Sequence, residues 1–174
     1  MTEASIIVAI CALVVSVASL AASIYFSWCA RDHNRRSVRP LPFVLQSDFE
    51  DRIAVVIRNN GTGPLILKKA EARNSTNSRS GHLIDLIPDP PPELVFTNFN
   101  RVHQIRAIRP GDQVDLLDLA VGESDRRAAA YRDELRRALG NMTVELTYTD
   151  IYDTCFPVYA IKLAWFHRHC DASA

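Results

Sequence analysis

The sequence predicts a mainly β protein: one N-terminal transmembrane helix followed by an antiparallel β-sandwich, Ig-like with about seven strands, and one helical excursion. Three observations carry that expectation. Residues 5–30 contain no charged side chain, although the whole chain balances 20 Lys and Arg against 20 Asp and Glu. Beyond residue 40, short apolar runs alternate with turns of Pro, Gly and Asn, the spacing of an all-β domain. Residues 124–139 alone carry a helical stripe with stop and start signals at both ends. The 174 residues are a single-domain length, which excludes a large multidomain enzyme. The organisation expected is an anchor at 1–30, a basic juxtamembrane linker at 31–39 and a β-sandwich domain at 40–174.

The run from Ile6 to Trp28 is 23 residues long. As a helix it reaches about 34 Å, enough for a hydrocarbon core of about 30 Å. A cleaved signal peptide is the competing reading, because Ala18-Ser19-Leu20-Ala21-Ala22 imitates a small-residue cleavage site. Against it, Glu3 is the only charge before the run, and the run is longer than a signal core. Just after the span, Arg31, Arg35, Arg36 and Arg39 face Asp32 alone, and positive flanks stay inside. The expected topology is therefore a single pass through the inner (plasma) membrane, N-terminus outside and C-terminal domain cytoplasmic. Tyr25, Phe26 and Trp28 would form the interfacial belt. The same arginines can also touch anionic lipid, although setting topology accounts for them. Ala12, Ser16, Ser19 and Ser23 share one helical face and permit close contact with another helix. That face suggests a helix-mediated homo-oligomer; the alternative is that small residues are simply common in membrane helices.

The elements of the soluble part follow in order. Leu41–Leu45 is a short apolar run, and Arg52–Arg58 reads as a strand stopped by Asn59-Asn60-Gly61-Thr62-Gly63-Pro64. Leu65–Ala72 resumes, so the two strands are paired or sandwiched, with a positive φ expected at Gly61 or Gly63. His82–Ile87 suggests another strand before the stiff Pro88-Asp89-Pro90-Pro91-Pro92 passage. Val102–Ile108, the turn Arg109-Pro110-Gly111-Asp112 and Val114–Leu119 read as strand, turn, strand. Helix 124–139 has Ser124 as N-cap, Asp125 at its positive end, Arg136 and Arg137 in its last turn and Gly140 as a left-handed C-cap. Ala128, Tyr131, Leu135 and Ala138 form its buried stripe, leaving Arg126, Arg127, Arg132, Asp133 and Arg136 to solvent. Met142–Tyr148 alternates as a half-buried strand, Asp150–Asp153 turns, and Cys155–Leu163 returns as the last strand.

This order of features resembles a broad class of uncharacterised bacterial proteins with one N-terminal membrane helix and a small cytosolic β-sandwich. The residues that carry the resemblance are the basic segment into Arg39-Pro40, the Asn59–Pro64 turn, the Arg109-Pro110-Gly111 turn and Tyr148-Thr149-Asp150-Ile151-Tyr152-Asp153. In the last of these, Asp153 stands where a glycine is expected, and Asp tolerates the same turn. The resemblance implies an architecture and no activity.

The chemistry legible in the sequence is sparse. Asp150 and Asp153, with Asp118 if the strands meet, suggest a carboxylate or metal site, but Asp also satisfies turn backbone by itself. His167, His169 and Cys170 have soft-metal ligand types without a second half-site. His82 and His103 read as surface or turn residues. The glycines at 61 and 63 join two strands and lack a P-loop lysine, so no nucleotide site is expected there. The four cysteines form no CxxC pair and read as reduced thiols. No cofactor, no metal, no catalytic residue and no nucleic-acid partner is expected, the arginines of the soluble helix being interleaved with acids. The sequence therefore suggests a membrane-anchored cytosolic binding or adaptor module with an unknown protein partner. A sensor or effector that oligomerises through its transmembrane helix is the alternative, and a secreted β-domain a third. The chain should resist alkaline carbonate extraction, since about 23 apolar residues with no compensating polar face are held by a bilayer; recovery in the soluble fraction would sink the anchor.

Overall fold

The computed structural model describes residues 2–49, 51–76, 79–92, 94–102, 105–120 and 126–169. The chain separates into two compact units between Val38 and Arg39. The first unit is helix α1, Glu3–Ser37, with no buried residue. It is long and apolar enough to cross a membrane. Neither Gly nor Pro interrupts it, and Glu3 in the first turn and Arg35 and Arg36 in the last suit the helix dipole. It stops short of Pro40, whose ring disfavours a helical residue before it. Residues 31–37, expected as linker, thus continue the helix.

The second unit is two antiparallel sheets. Strands β1 (Pro42–Asp48), β2 (Arg52–Asn59), β5 (Asn98–Phe99) and β7 (Gln113–Ala120) form the first, in the order β1-β2-β7-β5. Strands β3 (Leu65–Asn74), β4 (Ser80–Gly81), β8 (Met142–Thr149) and β9 (Tyr159–Lys162) form the second, in the order β4-β3-β8-β9, and β6 (Arg106–Ile108) also pairs with β3. Val44, Ile53, Val55 and Ile57 from the first sheet and Leu65, Leu67, Val144 and Leu146 from the second belong to one core, all at 1% exposure or less. Each such side chain contributes about 1.5–3 kcal/mol on burial. The β2–β3 connection crosses between sheets, which selects the sandwiched alternative over the paired one. A bulge at Val55/Val56 opposite β7 explains why Leu116 and Leu117 are both buried, breaking the alternation of that strand.

Several sequence expectations are corrected. Leu83–Asp85 is a turn of 3-10 helix, not strand; the prolines that follow deny it a ladder partner. The last strand is confined to Tyr159–Lys162, with Cys155 making one isolated bridge to Thr149 and Ala164–His169 forming a 3-10 segment. Helix α2 is Arg126–Gly140; its expected cap Ser124 and Asp125 lie outside the described residues. Its stripe is Ala128, Tyr131, Leu135 and Leu139, with Ala138 only partly buried. Gly140 ends the helix without a positive φ, and it is glycine because a Cβ there would strike the His167 ring. Positive φ falls instead on Gly111 (81°) and on Asp153 (56°), the residue read as a glycine substitute.

One buried side chain organises the end of the domain where the chain arrives from α1. Asn59 is fully buried. Its Oδ1 accepts from the amides of Gly61 (3.0 Å) and Leu41 (3.3 Å), and its Nδ2 donates to the carbonyls of Gly63 (2.8 Å) and Ile108 (3.0 Å). The side chain is satisfied at both atoms while it joins the start of β1, the crossover loop and the end of β6. Gly61 packs so closely that a Cβ would collide with the backbone of Arg39 and Leu41. Its requirement is therefore close approach, not left-handed backbone.

Replacing Asn59 by Ala strands two amides and two carbonyls, at about 1–3 kcal/mol for each buried group left unpaired, and should cost the domain about 3 kcal/mol or more. Gly61→Ala should do comparable damage, whereas Gly81→Ala, with nothing within 4 Å of the new methyl, should leave unfolding unchanged. Denaturant unfolding of the full chain in detergent checks both, and a neutral Gly61→Ala would refute the close-approach reading.

Candidate functional site

The outward face of the first sheet is divided into an apolar and a polar half. The ladder puts the odd residues of β1 opposite the even residues of β2, with Phe43 facing Arg58, Leu45 facing Val56 and Ser47 facing Ala54. The even residues Val44 and Asp48 are buried. The odd ones point outward: Leu41 is 52% exposed, Phe43 43%, Leu45 38% and Phe49 63%. No charged residue occurs from Pro40 to Ser47, so this edge strand lacks the lysine that usually guards an edge. The other half of the face is polar. Asp118 takes Arg52 in two bonds, Nε to Oδ1 at 2.7 Å and Nη2 to Oδ2 at 2.9 Å, and chiefly those bonds hold the Arg52 guanidinium above its ordinary pKa. Asn98 Nδ2 donates to Asp115 at 2.8 Å. Beside this pair lies a polar groove of about 330 Å³ lined by Asn98, Asn100, Arg106, Asp112, Gln113 and Asp115 among others.

At the opposite end from Asn59, the carboxylate of Asp48 has no exposure. Its Oδ1 accepts from Arg136 Nε (3.0 Å) and Nη2 (2.8 Å). Arg168 Nη2 lies 3.2 Å from Oδ2 and donates to the Asp48 carbonyl at 3.0 Å. Burial works against the charge of Arg136, but its bonds to Asp48 and Asp133 prevail and raise its pKa. The Arg168 guanidinium also stacks on Trp165, 3.3 Å from the ring centroid. One aspartate thus ties β1, α2 and the C-terminal 3-10 segment together. Nearby, Tyr131 donates to the Pro88 carbonyl at 2.8 Å; burial, and then Glu134 and Asp89, push its phenol up to about 12.

The sequence-predicted residues are dispersed. Arg31, Arg35 and Arg36 are exposed on α1, and Arg36 pairs with Asp32 at 2.9 Å. Arg39 belongs to the β unit and lies 5.4 Å over the Phe156 ring, itself stacked on Tyr148. The Tyr148 phenol is raised by burial, with Arg39 pulling the other way. Along α1, the Ser16 hydroxyl donates to Ala12 and that of Ser23 to Ser19, at 2.7 and 2.8 Å, so both hydroxyls are satisfied within their own helix. Asp150 is buried with Oδ1 accepting the Tyr152 and Thr154 amides at 2.8 and 2.9 Å. Asp153 sits 3.5 Å from Lys68, and Asp118 is in the other sheet on Arg52. The three aspartates are not brought together as a site. His167 lies against Gly140 and 3.3 Å from Asn141 Oδ1; the His169 side chain, Cys170 and His103 lie outside the described residues. Cys11, Cys29 and Cys155 are free thiols.

Two features escaped the sequence. Arg136 was assigned to the solvated face of its helix but is 11% exposed and bound to Asp48; nothing in its spacing announces a partner 88 positions away. The outward stripe of β1 was hidden in an unbroken apolar run. Its signal was that very continuity, because an edge strand apolar on both faces asks for cover on both. No protein-family model matches the chain, and no curated protein matches it, so the geometry carries the functional reading by itself.

Asp48→Ala leaves Arg136 buried without its carboxylate and should cost about 3–5 kcal/mol in an unfolding titration. Asp133→Ala, whose carboxylate is 61% exposed, should cost under about 1 kcal/mol. Equal effects would show that the buried pair is not the latch.

Proposed function

We propose that this chain is a membrane-anchored, non-catalytic adaptor whose cytosolic β-sandwich docks a protein partner on the outward face of β1. The observation that carries this reading is the exposed stripe Leu41, Phe43, Leu45 and Phe49. Exposed apolar surface on an edge strand without a guarding lysine is the mark of an interaction site, and a partner laid there is held by apolar contact with Phe43 and Leu45 as anchors. Val56, opposite Leu45, gives the stripe a firm floor. The anchor reading rests on α1, and the charge of Arg31, Arg35, Arg36 and Arg39 favours N-terminus outside and the domain in the cytosol of an inner-membrane protein. On this reading the two sheets are an Ig-like sandwich of about seven principal strands, since β4 and β5 have only two residues each. The architecture suits the resemblance to bacterial single-pass proteins of this plan.

The rival, a sensor or effector oligomerising through Ala12, Ser16, Ser19 and Ser23, draws on close helix packing. Two of its serines already bond within their own helix, which weakens the interhelical glue, and the adaptor reading is preferred.

A photocrosslinking residue at Phe43 or Leu45, activated in intact membranes, should give a discrete protein adduct absent when the same residue stands at exposed Lys69 on the second sheet. Phe43→Ser with Leu45→Ser should abolish partner binding while costing about 1 kcal/mol or less, as exposed sites do. Adducts no stronger than at Lys69 would overturn the docking face.

A further inference from the structure

We propose that the end of the β domain organised by Asn59 is itself a lipid-docking surface, occupied by the anionic face of the bilayer that holds α1. The inference rests on the anchor reading above and adds a second contact between protein and membrane, distinct from the protein-docking stripe.

Chain continuity selects this end. Only Val38 and Arg39 separate the last residue of α1 from Pro40, at most about 11 Å of extended backbone, and the Leu41 amide is already bonded to Asn59. Other segments converge on the same end. The β8–β9 turn is tied to it by Lys68 with Asp153 (3.5 Å) and by Phe156 under Arg39 (5.4 Å). The Gly111 turn is tied to it by the Gly111 amide on the Asn59 carbonyl at 2.8 Å.

What this end displays fits lipid. The turn chemistry of 150–154 is supplied by Asp150, which binds two amides, and by the left-handed Asp153. The Ile151 side chain at its tip takes no part in that chemistry, yet it stands 48% exposed, beside Tyr152 at 47%. Apolar and aromatic tips are what an interfacial contact inserts. The same end carries the exposed cations Arg39, Arg58, Lys68 and Arg109. Arg58 and Arg109 have no ion-pair partner among the described residues, and the acids at this end are exposed Asp112, Asp153 on Lys68 and Asp150 inside its turn. Unpaired Arg58 and Arg109 on the same end as an apolar tip complement an anionic headgroup surface.

The full chain, with its four cysteines replaced by Ser and a single Ile151→Cys carrying an environment-sensitive fluorophore, is reconstituted in nanodiscs with and without phosphatidylglycerol. In anionic nanodiscs the probe should shift to the blue and be quenched by spin-labelled lipid at least about twofold more than a probe on Glu134→Cys in α2 at the opposite end, and the difference should shrink without anionic lipid. Arg58→Glu with Arg109→Glu should remove it while the unfolding midpoint stays in place. A probe at 151 that is quenched no more than at 134 overturns the inference, as does one shielded from aqueous iodide but blind to lipid quencher, which would place a protein there. Quenching unaffected by phosphatidylglycerol and by both charge reversals overturns the anionic recognition. Co-elution with nanodiscs reports the anchor independently, so failure to co-elute marks the failure of the anchor reading instead.

Discussion

The fold of the β unit depends on one buried amide. Asn59 closes four hydrogen bonds to three separate stretches of chain, and its own backbone closes two more, to Asp112 and Gly111. A buried polar side chain is worth keeping only when every atom is served, and here full service is possible only if β1, the crossover after β2 and the end of β6 arrive together. Asn59 therefore works as a test of assembly. Any register slip in β1 or β2 would strand the amide in the interior, which makes the native pairing the one consistent arrangement. The same constraint explains Gly61, since a loop drawn this tightly over Arg39 and Leu41 leaves no room for a side chain.

At the far end Asp48 plays a similar part with charges. Its carboxylate is fully removed from water, so an isolated ion there would be untenable, and two arginines from different elements meet it. The consequence is that α2 and the C-terminal 3-10 segment, which bring Leu135, Leu139 and Phe166 to the core, are fixed in place by a directional contact as well as by apolar packing. Between Asn59 and Asp48 the two sheets need only close-packed aliphatic side chains.

With the interior accounted for, what is left over on the surface becomes informative. The exposed apolar residues of β1 leave much of their surface in water, and so does Ile151 at the tip of a turn whose backbone is satisfied by Asp150. Apolar side chains left in water are where external partners are to be sought. The polar half of the first sheet's outward face is different, because Arg52 bonds Asp118 and Asn98 bonds Asp115 across the strands.

Composition and periodicity by themselves determined the anchor-length helix, the mainly β character, the β8 strand, the α2 helix and the turns at Asn59–Pro64, Arg109–Asp112 and Asp150–Asp153. These are set by local physics: uninterrupted apolar length, period-two alternation, and side chains such as Asp150 that satisfy their own neighbours. Even the substitution of Asp153 for a turn glycine was legible, and the positive φ is there. Tertiary structure alone decided that β2 and β3 lie in different sheets, that Leu83–Asp85 coils without a ladder partner, and that Gly61 and Gly140 are glycines because of what crosses over them. It alone decided that Arg136 is buried and that one side of β1 is left open. Each of these depends on a group distant in the chain, Arg39 over Gly61, His167 against Gly140, Asp48 on Arg136, and sequence patterning reports how a residue repeats along its own element but not which other element arrives to meet it.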